Sequence, residues 1–451
     1  MTRLTAIGRA TLWLVAPFWL AGMTGVPARG QHQASAIPAT LPGEQERQLQ
    51  SMISRARQLE TSGDFVGAQR IWTELAGMLD QQFGAGSWQS VNARLECRTA
   101  GRRSTFNDAQ KQQFAELKQL QQQVAAATRA SDQVQVVGIT GQAVGLASSL
   151  FGEDSHEAAR IKIQMARLLH AGGDPGQAWN LYRESLDVMR EAAGVDHPEV
   201  EALNYSIANL LQTNGQHEQA IPWLSRCVGI SKQVYGQGSA IHADRLSAMG
   251  VALHQAGKSD EALEWLKSAD AIQQTTLGPR HPRRGQTLVD LGGVSLSLQH
   301  NGEALQYLQQ AVDILNSEPG PDHPRTLIAR SSLATAQLVN GAPEEAEQSL
   351  RLVLEGLQRQ PDPEPLRIAH TRYKLAIVTG RGGNLEQAEG LLRAALSTQQ
   401  EILGAGDRET RRTADSLVVL LEKAGRTPEA NQLRQQFQSV AEAAAGENPI
   451  R

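Results

Sequence analysis

Residues 203–236 read LNYSIANLLQTNGQHEQAIPWLSRCVGISKQVYG, and this stretch decides the fold. Before the glycine at 215, Leu203, Ile207, Leu210 and Leu211 recur at i, i+4, i+7 and i+8. After it, Ile221, Leu224 and Val228 recur at i, i+3 and i+7. Each spacing gives an amphipathic helix with one apolar stripe. Gly215 accepts the left-handed backbone that closes a helix, so the stretch reads as two helices joined by a tight turn.

The same unit returns along the chain. Ala178, Ala220, Ala262, Ala304, Ala346, Ala388 and Ala430 stand 42 residues apart, each preceded by Gln or Glu. With Ala at roughly one position in ten, six successive hits have a chance likelihood on the order of one in a million. Five residues before these alanines lie Gly173, Gly215, Gly257, Gly341, Gly383 and Gly425, with Gln299 the one exception. A second marker, Gly152, Gly194, Gly236, Gly278, Gly320 and Gly404, with Asp362 standing in once, sets the turn between repeats. Ala166, Ala208, Gly250, Gly292, Ala334 and Ala376 are small at one equivalent place in the first helix, which lets the paired helices approach closely. A helix pair cannot bury its apolar stripes alone, so such units stack.

These markers resemble the tetratricopeptide repeat, with its small residue seven before the turn glycine, its Ala five after it and a bulky residue four further on. The bulky residue here is Tyr182, Leu224, Leu266, Leu308, Leu350 or Leu392. The 42-residue period, together with Asp196-His197-Pro198-Glu199 and Ala220-Ile221-Pro222-Trp223-Leu224, is similar to the kinesin light chain subtype. The resemblance implies an all-α, right-handed α-solenoid of about nine helix-turn-helix units. It also implies that the first helix of each pair forms the inner, partner-binding groove.

The expected organisation is a signal peptide over 1–28, a flexible linker over 29–43, a divergent helical region over 44–154, a seven-unit array over 155–442 and a disordered tail over 443–451. Arg3 and Arg9 precede the apolar run Ala10–Val26, and Val26-Pro27-Ala28 offers a small-x-small cleavage site, so the chain reads as exported, periplasmic or secreted. The competing reading is an uncleaved membrane anchor, because the run approaches the roughly 18 apolar residues that span a bilayer. No other stretch reads as able to cross a membrane. In the divergent region, Gly63, Ala68 and Trp72 repeat the turn spacing and predict a helix pair from Gln45 to Gln82. Gly84 and Gly152 are 68 apart, which is 42 plus 26, so one unit carries an insertion. Phe114, Leu117, Leu120 and Val124 keep a helical spacing there and predict one elongated first helix around 88–130, packed on its neighbour or in a local coiled coil.

Composition narrows the function. A formal charge of -4 gives no electrostatic reason for nucleic-acid binding, which draws on clustered Lys and Arg. Two cysteines, Cys97 and Cys227, cannot be a disulfide framework, and Cys227 falls where other repeats carry Ala, which makes it a small buried hydrophobe. His197-Pro198, His281-Pro282 and His323-Pro324 are too far apart as a set to hold zinc, and Pro at the first helical position accounts for them. Gly380-Arg381-Gly382-Gly383 sits in a helix turn without the strand that a dinucleotide loop needs. No catalytic motif stands out, and neither cofactor nor enzyme activity is expected. An unrecognised hydrolase site and a structural role in a cell-envelope assembly are the alternatives to a scaffold that holds a protein or extended peptide. The family pattern places exposed inner positions at Arg160, Arg167, Tyr205, Asn209, Asp244, Asp290, His370, Tyr373 and Lys374. Tyr205 and Asn209, one helical turn apart, are placed to reach one peptide backbone. The Lys–Asn pair by which chaperone-binding members clamp a carboxylate is absent, since Tyr205 stands in the Lys place. The adjacent asparagines of kinesin light chains are replaced by Tyr205-Ser206, Val289-Asp290, Ser331-Ser332 and Tyr373-Lys374.

Overall fold

The computed structural model describes residues 43–129 and 132–446; the expected signal peptide and nearly all of the linker lie outside them. Nineteen helices and no strand occur among the described residues. In chain order they are α1 (Gly43–Ser62), α2 (Phe65–Phe83), α3 (Trp88–Ser104), α4 (Asp108–Arg129), α5 (Gln133–Phe151), α6 (His156–Ala171), α7 (Pro175–Ala193), α8 (Pro198–Thr213), α9 (His217–Tyr235), α10 (Ala240–Gln255), α11 (Ser259–Thr276), α12 (Pro282–Ser297), α13 (Asn301–Ser317), α14 (Pro324–Val339), α15 (Pro343–Gln358), α16 (Pro365–Arg381), α17 (Leu385–Leu403), α18 (Arg408–Lys423) and α19 (Thr427–Gly446). The last helix runs to Gly446, four residues into the segment expected to be a disordered tail. The chain divides into two compact bodies, an N-terminal one ending at Lys258 and a C-terminal one beginning at Ser259.

Small residues set the spacing within each helix pair. The alanine five residues past the turn is fully buried at Ala68, Ala178, Ala220, Ala262, Ala304, Ala346, Ala388 and Ala430, and the α4–α5 pair buries Val136 at the equivalent place. Facing first helices bury Ala166, Ala208, Ala334 and Ala376 in the same seams. Gly292 shows how close the approach is: a Cβ there would lie 2.4 Å from Leu308 Cγ. A side chain of any size at that point forces α12 and α13 apart.

The turns follow the markers. The glycines at 63, 173, 215, 257, 341, 383 and 425 all take positive φ, and Gln299, the one non-glycine in the series, takes it too at 62°. That conformation costs an L-residue roughly 1–2 kcal/mol, so the fold holds Gln299 there against its own preference. At Asp362 the chain closes differently. Gln360 Nε2 donates to the Asp322 carbonyl at 2.7 Å and Arg359 donates to the Asp322 carboxylate at 2.7 and 3.0 Å. First helices start on side-chain caps: Ser155, Ser239 and Asp407 accept backbone N–H groups, and so do the imidazoles of His197, His281 and His323. Pro198, Pro282 and Pro324 follow these histidines at the first helical positions.

The predicted long helix around 88–130 is two helices. Asn107 Oδ1 accepts the Gln110 N–H at 2.9 Å while Gln110 Oε1 accepts the Asn107 N–H at 3.0 Å, a reciprocal cap that starts a new helix at Asp108. Phe106 therefore turns inward. Phe65, Phe106, Phe114 and Phe151 pack ring to ring at 5.7–6.2 Å, with Arg103 4.7 Å above the Phe114 ring. Helix α3 packs along α2, whereas α4 packs along α5 and α5 along α6. The expectation that no later segment is long and apolar enough to cross a membrane is also corrected: Val134–Phe151 of α5 meets that test with a mean hydropathy of 1.4. In this fold its Ala143, Ala147, Leu150 and Phe151 are buried against α4 and α6. Cys227 is buried and free, as its alanine-equivalent place implies.

Two substitutions test the seam and the turn. Gly292→Ala is expected to destabilise the chain by about 1–3 kcal/mol. Gln299→Gly is expected to stabilise it by about 0.5–1 kcal/mol, because relief of the strained φ outweighs the added freedom of the unfolded chain. Urea denaturation of the two variants beside the parent chain measures both, and a Gln299→Gly midpoint below the parent's contradicts the strain.

Candidate functional site

Within each body, polar side chains bridge first helices of neighbouring repeats. In the N-terminal body Arg160 of α6 donates to Glu96 of α3 at 3.1 Å and to Glu199 of α8, which also bonds His156 Nε2 at 2.8 Å. Burial alone would raise the Glu199 carboxyl, but His156 and the Arg160 guanidinium outweigh it and hold it down at about 2. Arg160 is thus a strut between three helices. One helix further, Arg245 of α10 donates twice to the buried Glu201 of α8 and lies 4.0 Å above the Tyr205 ring.

Tyr205 and Asn209 do not stand open as the sequence pictured them. Asn209 hydrogen-bonds the Tyr205 side chain, and Arg245 covers the ring. The Asn209 side-chain oxygen is buried without a hydrogen-bond partner among the described residues. Arg167 is exposed and reaches Tyr182, while Asp244 is half-buried.

In the C-terminal body the same face is built by α12, α14, α16 and α18. Asp290 on α12, expected to be exposed, is only 4% exposed. The reason is the small residues around it: Gly292 and Gly293 draw α12 so deep that most of its side chains are buried. Gln286 Nε2 donates to Asp290 Oδ1 at 3.2 Å, and burial pushes the carboxyl up to about 7. On α16, Lys374 Nζ donates to Ser331 Oγ of α14 at 2.9 Å, and burial together with the neighbouring Arg412 pushes its ammonium down to about 8. Tyr373 accepts from Arg412 Nε of α18 at 3.2 Å, meets Ser416 Oγ at 3.3 Å, and lies beneath the guanidinium at 5.1 Å. His370 meets Glu409 at 2.5 Å.

The structure thus brings Tyr373 and Lys374 together with Arg412 and Ser416, and Tyr205 and Asn209 together with Arg245 and Glu201. Arg245 and Arg412 were missed. Both stand on the first helix of the repeat after their tyrosine, 40 and 39 residues on, so a search for Arg one repeat past an inner aromatic would have found them. The three His-Pro histidines contribute differently from any ligand role: each Nδ1 accepts a backbone N–H two residues on, at 3.1–3.2 Å.

Sequence profiles of the tetratricopeptide repeat match residues 199–275, 246–317 and 286–359, and a second profile of the same repeat matches 159–199 and 368–409. Among solved structures, the nearly identical TPR-like repeats of a putative kinesin light chain from Podosopora anserina are 25% identical, covering 45% of this chain and 97% of that one, with a TM-score of 0.39. The apo form of the quorum sensor NprR from B. thuringiensis is 13% identical over 83% of this chain and 98% of its own, with a TM-score of 0.55. A signal-transduction ATPase from Pyrococcus horikoshii with a tetratricopeptide repeat sensor is 13% identical over 84% of this chain and 54% of its own, with a TM-score of 0.52. The last two share the fold. No curated protein matches the sequence.

The buried cap at His197 gives this face a pH dependence. Burial is the main cause that pushes the imidazole down to about 4, opposed by Glu199 and helped by His156 and Arg160. The fold therefore holds the neutral form, against about 6.5 in the unfolded chain. Its contribution is complete above pH 6.5 and is lost as pH falls from 6.5 toward 4, by up to about 3 kcal/mol. Asp290 acts in the opposite sense, so the comparison is between the chain and His197→Asn, which keeps a cap acceptor and removes the titration. The stability of His197→Asn is expected to fall less between pH 7 and pH 4.5; parallel curves would show that His197 does not titrate in that window.

Proposed function

Because the chain belongs to the tetratricopeptide repeat family, we propose that it is an exported, non-catalytic scaffold that holds a protein or extended peptide on the face made by its first helices. The observation that carries this reading is the division of labour among the side chains. Residues that recur with the period are buried in the seams between helices. Residues that vary from repeat to repeat, including Arg160, Tyr205, Tyr373, Lys374 and Arg412, gather on the first-helix face. What repeats is needed for packing, and what varies is available for recognition. Export rests on Arg3, Arg9 and the apolar run that follows them.

A second reading, a structural member of a cell-envelope assembly, is favoured by α5. Its outer face presents Gly138, Gly141 and Gly145, where an added Cβ meets at most one methyl group at 3.9 Å, on an otherwise apolar helix. Such a face suits close contact with another helix.

Photo-cross-linking in the native host separates the two. A cross-linking residue at Arg167 or Arg372, on first helices, is expected to trap a partner at least fivefold more efficiently than one at Arg226 or Arg393, on second helices. Trapping only from Gly141 would support the assembly reading, and trapping only from the second helices would overturn the first-helix face. The purified mature chain is expected to begin at Arg29; recovery with Met1 intact would overturn cleavage.

A further inference from the structure

Helix α5 is the one helix among the described residues without an Asp, Glu, Lys, Arg or His side chain. Val136, Thr140, Ala143, Ala147 and Leu150 are buried on its inner side. The opposite side is open: Val134 is 86% exposed, and Gly138, Gly141 and Gly145 follow it at steps of four, three and four residues, all of them exposed. That alternation is the 3.5-residue seam of two helices packed along each other. Gln135, Gln142 and Ser149, seven residues apart, run beside the seam and are exposed as well.

Packing within the chain does not account for these glycines. A Cβ at Gly138 or Gly145 would meet nothing within 4 Å, and at Gly141 only the Met165 methyl at 3.9 Å. At Gly292 and Gly356, by contrast, it would fall 2.4 and 2.6 Å from leucine side chains of a neighbouring helix, so glycine there is a packing necessity. Glycine is the poorest helix former after proline, and three of them on one open face weaken α5 with no compensating contact inside the molecule. The compensation comes from a helix outside it, which glycines admit to backbone contact.

We propose that two copies of this chain associate through α5, helix against antiparallel helix, about a two-fold axis between Gly141 and Gln142. The proposal rests on the assembly reading of α5 and names the partner. Gln142 is the middle residue of Gln133–Phe151, so the crossing is central, and Gly138 of one copy comes opposite Gly145 of the other. At such an axis each group meets its own image, and a carboxylate or ammonium would face like charge. The exposed polar groups are two carboxamides and a hydroxyl, each both donor and acceptor, and therefore each its own complement. An unlike helix is selected through charges that flank the seam, and α5 has none. A lipid surface takes long apolar side chains backed by Lys or Arg, whereas this face offers glycines and no cation.

The chain purified from its native host is expected to sediment as a dimer at micromolar concentration. Gln142→Lys and Gln142→Glu are each expected to weaken the dimer at least tenfold, and mixing the two variants in equal amounts to restore it, because each then meets the opposite charge across the axis. Gly138→Ala combined with Gly145→Ala is expected to raise the melting midpoint of the dilute, monomeric chain while weakening the dimer at least tenfold, opposite signs that a purely structural glycine would not give. A chain that stays monomeric, or a dimer indifferent to all of these variants, would overturn the inference. Loss of the dimer in both charged variants without recovery on mixing would overturn it too, since the covering helix is then not the image of α5. Capture of a different protein by a cross-linking residue at Gly141 alongside any of these failures leaves the assembly reading standing, and capture of nothing there counts against both.

Discussion

The structure depends on how closely two helices of a pair approach. Eight helix pairs place a fully buried alanine five residues past the turn, and most set an alanine or glycine against it on the first helix. Small side chains at these points bring the helix backbones near enough for the flanking leucines to interlock, and the gain comes from dispersion contacts and apolar area together. The alanines and glycines at these points have no rotamer freedom to lose, so their packing costs little side-chain entropy. The seam also fixes the pitch between neighbours. Once one pair is set, the next first helix has one place to lie.

Polar residues do the remaining structural work by bridging repeats rather than closing within them. Arg160 spans from Glu96 to Glu199, Arg245 joins Glu201, Arg426 joins Glu389, and Lys423 donates to the Gly380 carbonyl. Most of these bonds link residues about one period apart. Pairs as buried as Arg245 and Glu201 do more to fix the relative placement of first helices than to stabilise the chain, since desolvation consumes much of their attraction. The same side chains build the recognition face, so its geometry is inherited from the contacts that hold the stack.

The repeat was legible because its markers are conformational necessities: a left-handed turn needs glycine, and a close seam needs alanine. Gln299 shows the limit. The period, not the residue, predicts its conformation, and the structure imposes it. The insertion was misread because helical spacing of Phe114, Leu117 and Leu120 says nothing about where the helix begins. The signal lay in Asn107 and Gln110, a short-range cap easily passed over inside a glutamine-rich stretch. Asp290 was misplaced for a related reason. Family register puts its position on an open face, but depth depends on the neighbouring glycines of α12, which pull that helix inward. The pairing of Tyr205 and Tyr373 with arginines of the following repeat escaped a reading that treated each helix by itself.

The four-phenylalanine cluster carries a consequence for how such a chain finds its own order. Like units tempt a folding polypeptide to dock one period out of place, because a displaced helix meets nearly the same seam it was meant to find. Phe106 and Phe114 stand in the insertion, outside the period, and their rings meet those of Phe65 and Phe151. An irregular plug near one end thus serves as a datum from which the identical steps beyond it are counted.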